Sequence, residues 1–374
     1  MKAFLVAPSI VAILLVLLAG MVEAQDRQFV AAEWDKAAAA EYLDARAEWW
    51  TTWSGAARDH ETACVSCHTT LPYALARPRL RASLGEPMAT KAETRVLADV
   101  VKRVELWNEV GPFYPDQTLG LPKTSESRGT EAVLNALILA TRDEDGGALT
   151  RETRRAFENL WALQFTRGED AGSWAWLNFG LAPWESDGAA YFGAALAAVA
   201  VGRALDQYAS LPDVRERVTL LRTYLRKDSA DRTSLDRVMA LWASVSVGDV
   251  LTETQKQSLL SDLWLFQNPD GGWTLSSLGA WQRQDGSLPV KESDAYATGL
   301  ISFVLLEAGV PRDDDNLKSA LVWLAQSQDS ATGTWTAASL NKDRDPESDR
   351  GRFMSDAATA FAVLALERAE SLNH

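Results

Sequence analysis

A glutamine that closes a tryptophan-bearing segment, followed shortly by Gly-x-Trp, recurs three times in this chain. The copies run from Trp161 and Gln164 to Gly172 and Trp174, from Trp264 and Gln267 to Gly271 and Trp273, and from Trp323, Gln326 and Gln328 to Gly333 and Trp335. Self-similarity of this kind marks a repeat fold, in which each unit buries its apolar face only against its neighbours. It also accounts for much of an unusual complement of 15 tryptophans.

A second signature, a small hydroxyl residue and an acid leading into a nearly all-apolar run, follows each Gly-x-Trp and also occurs upstream of the first. Four copies begin at Thr130-Glu131, Ser186-Asp187, Ser293-Asp294 and Ser355-Asp356, and a degenerate fifth starts near Thr233-Ser234. The simplest role for these residues is capping, since hydroxyl and carboxylate oxygens satisfy the free N–H groups of a helix start and the positive end of its dipole. Two kinds of helix then alternate. One, such as Asn316 to Gln326, carries a single apolar stripe; the other, such as Ala357 to Leu366, is apolar nearly all round and must be enclosed. Striped helices outside and apolar helices inside satisfy both patterns, and the arrangement closes on itself.

The motif Cys64-Val65-Ser66-Cys67-His68 falls into this register. An outer helix from Lys36 to Trp53 precedes it, and an inner helix from Thr69 to Leu84 follows. From Ser66 through Thr130, Ser186, Ser234, Ser293 and Ser355 the steps are 64, 56, 48, 59 and 62 residues. Six hairpins result, and the fold class expected is all-α, an (α/α)6 toroid.

The motif spends both cysteines of the chain and one of its three histidines. C-x-x-C-H is the sequence form of c-type haem attachment, in which each thiol adds to a haem vinyl group and the histidine ligates the iron. One covalent haem c is therefore the cofactor expected, with Cys64 and Cys67 as tethers and His68 as proximal ligand. For the distal position the chain offers Met354, His60 and, more remotely, Met88. Met354 is favoured because a closed ring sets the start of the sixth inner helix beside the first. Two other uses of these residues compete: a zinc set of Cys64, Cys67, His68 and His60 or Asp59, and a Cys64–Cys67 disulfide.

The amino terminus suits such chemistry. Lys2, an apolar run from Phe4 to Leu18 and small residues ending at Ala24 read as a secretory signal, which leaves residues 25–374 as one exported, periplasmic-type domain. The whole chain is 47% hydrophobic and 24% charged, and a domain of this length can bury a large core. A net charge of −14 argues against nucleic acid and anionic membranes as partners and in favour of a neutral ligand or a basic protein; the partner expected with haem is a redox protein or a small apolar ligand. No second membrane-length segment is present, so the mature protein is not expected to be an integral membrane protein.

Gln267-Asn-Pro-Asp-Gly-Gly-Trp273 and its two companions resemble the QW motifs of the prenyltransferase and squalene-hopene cyclase repeat superfamily. The likeness covers roughly Ala31 to Ala369 and implies a toroid whose cavity mouth is lined by inner-helix starts. It implies a structural role for the motif, glutamine bonding to a helix end and tryptophan packing on a neighbour. The DxDD acid motif of the triterpene cyclases is absent, and Asp313-Asp314-Asp315 sits instead at the start of an outer helix. Squalene cyclase-type catalysis would have to rest on Asp187, Asp294 or Asp356 as general acid. Trp176, Phe179, Trp184, Tyr191 and Trp281 are the aromatic residues expected around a cavity for a flat or isoprenoid-like ligand. A protein-binding repeat scaffold is the third function class.

Overall fold

A computed structural model describes residues 33–116, 122–144, 146–227 and 229–372. The expected signal at 1–24 lies outside them. Twelve helices of twelve or more residues organise the described chain, and strand is confined to a small hairpin. In order they are α1 (Lys36–Thr52), α2 (Thr70–Ser83), α3 (Lys91–Glu105), α4 (Lys123–Glu144), α5 (Arg151–Leu163), α6 (Ala190–Arg203), α7 (Pro212–Arg226), α8 (Ser234–Val247), α9 (Glu253–Phe266), α10 (Ala295–Glu307), α11 (Asp315–Gln326) and α12 (Phe353–Ser371). Strands β1 (Ala57–Arg58) and β2 (Thr62–Ala63) form an antiparallel pair between α1 and α2.

The even-numbered helices touch in sequence, α2 to α4, α6, α8, α10 and α12, and α12 returns to α2. Their composition explains the position. In α10 every residue from Ala295 to Leu306 is buried, and α6 is buried at nearly every position from Tyr191 to Val201. Each odd-numbered helix lies outside and buries one stripe, as Leu317, Ala320, Leu321 and Leu324 do in α11. No described helix is long and apolar enough to cross a membrane.

The repeated glutamines are the ties between units. Gln164 Nε2 donates to the carbonyls of Gly172 and of Arg217 in α7, both at 3.1 Å. Gln267 Nε2 likewise joins Gly271 to Asn316 at the start of α11. In the third copy Gln328 does this, reaching Gly333 at 3.0 Å and the Asp35 carbonyl at 2.9 Å, which carries the tie from the end of the chain back to α1. The tryptophans bind back to the outer helix that precedes them: Trp174, Trp273 and Trp335 donate to the carbonyls of Leu160 in α5, Leu263 in α9 and Leu324 in α11 at 2.7–2.8 Å.

Glycine is required in each copy for two reasons. Gly172, Gly271 and Gly333 have positive φ, and a Cβ on any of them would strike the backbone of the next outer helix, at Leu220, Ser319 and Ala38. These contacts fall three residues beyond the three glutamine-bonded carbonyls. Gly271→Ala is expected to cost at least about 1–2 kcal/mol from its φ of 97° alone. Chemical denaturation measures this, and an unchanged midpoint would show that the close approach can relax freely.

Three of the expected caps are corrected. Thr130-Glu131 lies inside α4, because that helix begins seven residues earlier at Lys123. There Glu131 pairs in full burial with Arg103 of α3 (2.6 Å), and Thr130 Oγ1 accepts from the Leu177 amide. Ser186-Asp187 precedes α6 without capping it, since the helix starts at Ala190. Ser355-Asp356 lies within α12, where Asp356 turns away to bind Arg46. Asp294 and Thr233 do cap α10 and α8, and Asp314 caps α11.

Candidate functional site

The C-x-x-C-H segment is anchored by hydrogen bonds between the β1–β2 hairpin and the start of α2. The Trp50 indole donates to the Cys64 carbonyl at 2.6 Å, and the Cys64 amide donates to Ala56 at the base of the β1–β2 hairpin. Ser66 Oγ accepts from the amides of Thr69 and Thr70, taking up free donors of the first turn of α2. Cys64 and Cys67 are both buried and both free. Burial pushes the Cys64 thiol up to about 12 and raises Cys67 well above the ordinary thiol range, so both are protonated at neutral pH.

His68 stands in an aromatic cage. The Phe353 ring stacks on it with centroids 4.0 Å apart, and Trp50 meets it edge-on at 4.8 Å. Its Nδ1 is 2.8 Å from Thr69 Oγ1, whose own proton goes to Asp356 Oδ2 at 2.7 Å. The hydroxyl must therefore accept from His68, which puts the imidazole proton on Nδ1 and leaves the Nε2 lone pair without a hydrogen bond among the described residues. Burial, with Arg46 nearby, lowers the His68 pKa to about 3. A neutral imidazole of fixed tautomer is the metal-ligating form.

A cavity of about 230 Å³ opens beside this ring. Cys67, His68 and Met354 line it, with Trp50, Trp53, Tyr114, Trp184 and Phe353 as its aromatic walls and Glu185, Asn341, Arg344 and Arg350 as its polar groups. Cys64 is equally buried but is not among the lining residues. Burial pushes the Glu185 carboxyl up to about 7, against the pull of Lys123. Met354 reaches the cavity because α12 returns to α2 at the seam of the ring.

Other expected site residues lie elsewhere. His60 is exposed near the turn between β1 and β2, its Nε2 3.8 Å from Asp59, and does not line the cavity. Among the described residues no group of three or more His, Cys, Asp or Glu is arranged to hold a metal ion. The zinc set drawn from Cys64, Cys67, His68 and His60 or Asp59 is not assembled. Asp187 is exposed and accepts from Asn178 Nδ2. Asp356 is enclosed by Tyr42, Arg46 and Thr69. Trp176 packs on Gly193 and bonds to the Trp184 carbonyl, Tyr191 bonds to the Leu225 carbonyl, and Trp281 covers Gly279. Of these aromatic residues only Trp184 lines the cavity.

Asp294 is buried and accepts from the amides of Tyr296, Ala297 and Ala338. Burial nevertheless raises its carboxyl to about 7, with the three amides pulling the other way. The unfolded chain releases this proton near pH 4 and the folded chain near 7, so the folded state binds more protons between them and stability falls as pH rises through that window. Asp294→Asn is expected to flatten this slope in urea titrations at pH 5 and pH 7.5. A slope as steep as that of the parent would assign it to other groups.

Trp50 and Trp53 of the cavity wall were not among the aromatic residues expected there, although their spacing of three at the end of α1 was a signal that could have found them. Tyr114, Glu185, Asn341, Arg344 and Arg350 lie in irregular segments far from it and carried no such signal.

No protein-family model matches the chain, and no curated protein matches it. Among solved structures it is similar to a wild-type glycosidase, at 12% identity over 90% of this chain and 98% of that one with a TM-score of 0.50. A glycosidase variant gives 13% identity over 89% and 97%, again with a TM-score of 0.50. A polysaccharide lyase aligns over 91% of both chains at 14% identity and a TM-score of 0.37. At such identities the glycosidase likeness concerns the helical fold alone.

Proposed function

We propose that this chain is an exported, mono-haem c-type cytochrome-like protein on an (α/α)6 toroid of the terpenoid cyclase and prenyltransferase type. It would serve electron transfer to a redox partner or haem-dependent oxidation of an apolar ligand. One observation carries the reading: Cys67, His68 and Met354 line a single aromatic cavity, with His68 Nε2 free to bind a metal. Cys64 and Cys67 would form the thioethers, His68 the proximal bond and Met354 the distal one. Haem held there would supply one-electron redox chemistry.

The chain's own contribution is separable from the cofactor's. Phe353, Trp50 and Thr69 set the plane and tautomer of His68, and a thioether ligand opposite it would raise the potential. The acid-only, cyclase-like alternative has less support, because Asp187, Asp294 and Asp356 do not line this cavity.

The test is the denaturing mass of the full chain exported alongside haem-attachment machinery. A gain of one haem is expected, and an unmodified polypeptide would overturn the reading. Met354→Ala then examines the distal bond, with a change of the reduced spectrum from low-spin to high-spin and a fall in midpoint potential expected. An unchanged low-spin spectrum would remove Met354 from the iron.

A further inference from the structure

We propose that Thr69 and Asp356 are positioning residues for the His68 imidazole, forming a relay that fixes its tautomer and passes negative charge to it across the seam of the ring. The inference rests on the haem reading above and adds the control of its reduction potential.

The relay joins three helices. Thr69 stands at the start of α2, Asp356 in the first turn of α12, and Tyr42 and Arg46 on α1. Asp356 Oδ1 accepts from Tyr42 (2.8 Å) and from Arg46 Nε (2.7 Å). Its Oδ2 accepts from Arg46 (3.2 Å) and from Thr69 (2.7 Å). Arg46 is shared with Asp349, through its side chain at 3.0 Å and its carbonyl at 2.9 Å. Asp356, Arg46 and Thr69 are all under 5% exposed, so the carboxylate acts through a nearly dry path.

A merely structural Arg46–Asp356 pair would need no hydroxyl between the carboxylate and the histidine. Thr69 spends its single proton on Asp356 and so can only accept from His68, which is the order that makes Nδ1–H the donor and draws negative character toward Nε2. A more basic ligand favours the oxidised iron, and cutting the link favours the reduced form.

The experiment uses the full holoprotein and begins with its denaturing mass, so that haem attachment is established before the relay is judged. Thr69→Val deletes the hydroxyl and leaves the Arg46–Asp356 pair in place. It is expected to shift the reduction equilibrium about tenfold toward ferrous iron, a rise of ~59 mV for one electron, while Thr69→Ser restores the parent value. Tyr42→Phe removes a competing donor from Asp356 and is expected to shift the potential the opposite way, which also decides the matter if Thr69→Val fails to fold. Haem-bearing variants with the parent potential, or a serine variant that behaves as valine does, would overturn the relay alone. Chains that carry no haem would overturn the relay and the haem reading together.

Discussion

Replacing Cys64 and Cys67 together by serine is expected to abolish covalent haem, leaving the bare polypeptide mass under denaturing conditions. Each single replacement is expected to leave the product tethered by the remaining thiol, with one vinyl group unsaturated. The reason is stoichiometric: the chain has two cysteines, both in the motif, so no other thiol can substitute. Both are held as protonated thiols by burial, and neither is diverted into a disulfide. Cys67 lines the cavity whereas Cys64 does not, so attachment at Cys64 requires its thiol to turn toward the cavity. The two single variants separate these demands, with Cys67→Ser expected to lose more haem than Cys64→Ser. A double variant that kept covalent haem would refute the assignment of the tethers.

Trp335→Ala is expected to lose about 3–5 kcal/mol of stability, the range typical of a buried tryptophan replaced by alanine. Its side chain is fully buried, its indole donates to Leu324 at the end of α11, and its ring meets Trp34 edge-on at 5.7 Å. Its backbone amide donates to Thr359 of α12. It thus stands where the last hairpin meets the first, beside the Gln328–Asp35 tie. Urea unfolding checks the figure. A loss under about 1 kcal/mol would mean that this junction contributes little to the ring.

The helices and their alternation were legible in sequence because each is a local property, whereas the role of the Gln/Gly-x-Trp motif followed from the family resemblance, its ties reaching helices about 50 residues or more away. Apolar runs such as Ala295 to Leu306 have only one stable place, the interior. The corrected caps show where such reading fails. Thr130-Glu131 has the composition of a helix start, yet Glu131 is buried against Arg103, a partner 28 residues upstream that only packing reveals. Asp356 is the same case at longer range, since its partners Arg46 and Thr69 come from the opposite end of the chain.

At the site, His68 and the two cysteines were visible as a contiguous motif, whereas most of what surrounds them was not. Phe353, which stacks on His68, sits one residue before Met354 and carries no pattern of its own. Thr69 follows His68 directly, but its task depends on Asp356 being brought across the seam. The cavity's polar groups, Glu185, Asn341 and Arg344, arrive on long irregular connections whose paths no periodicity encodes.

The most direct test is the reduced absorption spectrum of the purified exported protein in alkaline pyridine, which displaces the axial ligands and reports the porphyrin itself. The account predicts one haem per chain with both vinyl groups saturated. A colourless, iron-free protein, or a haem that extracts freely into acid solvent, would contradict it.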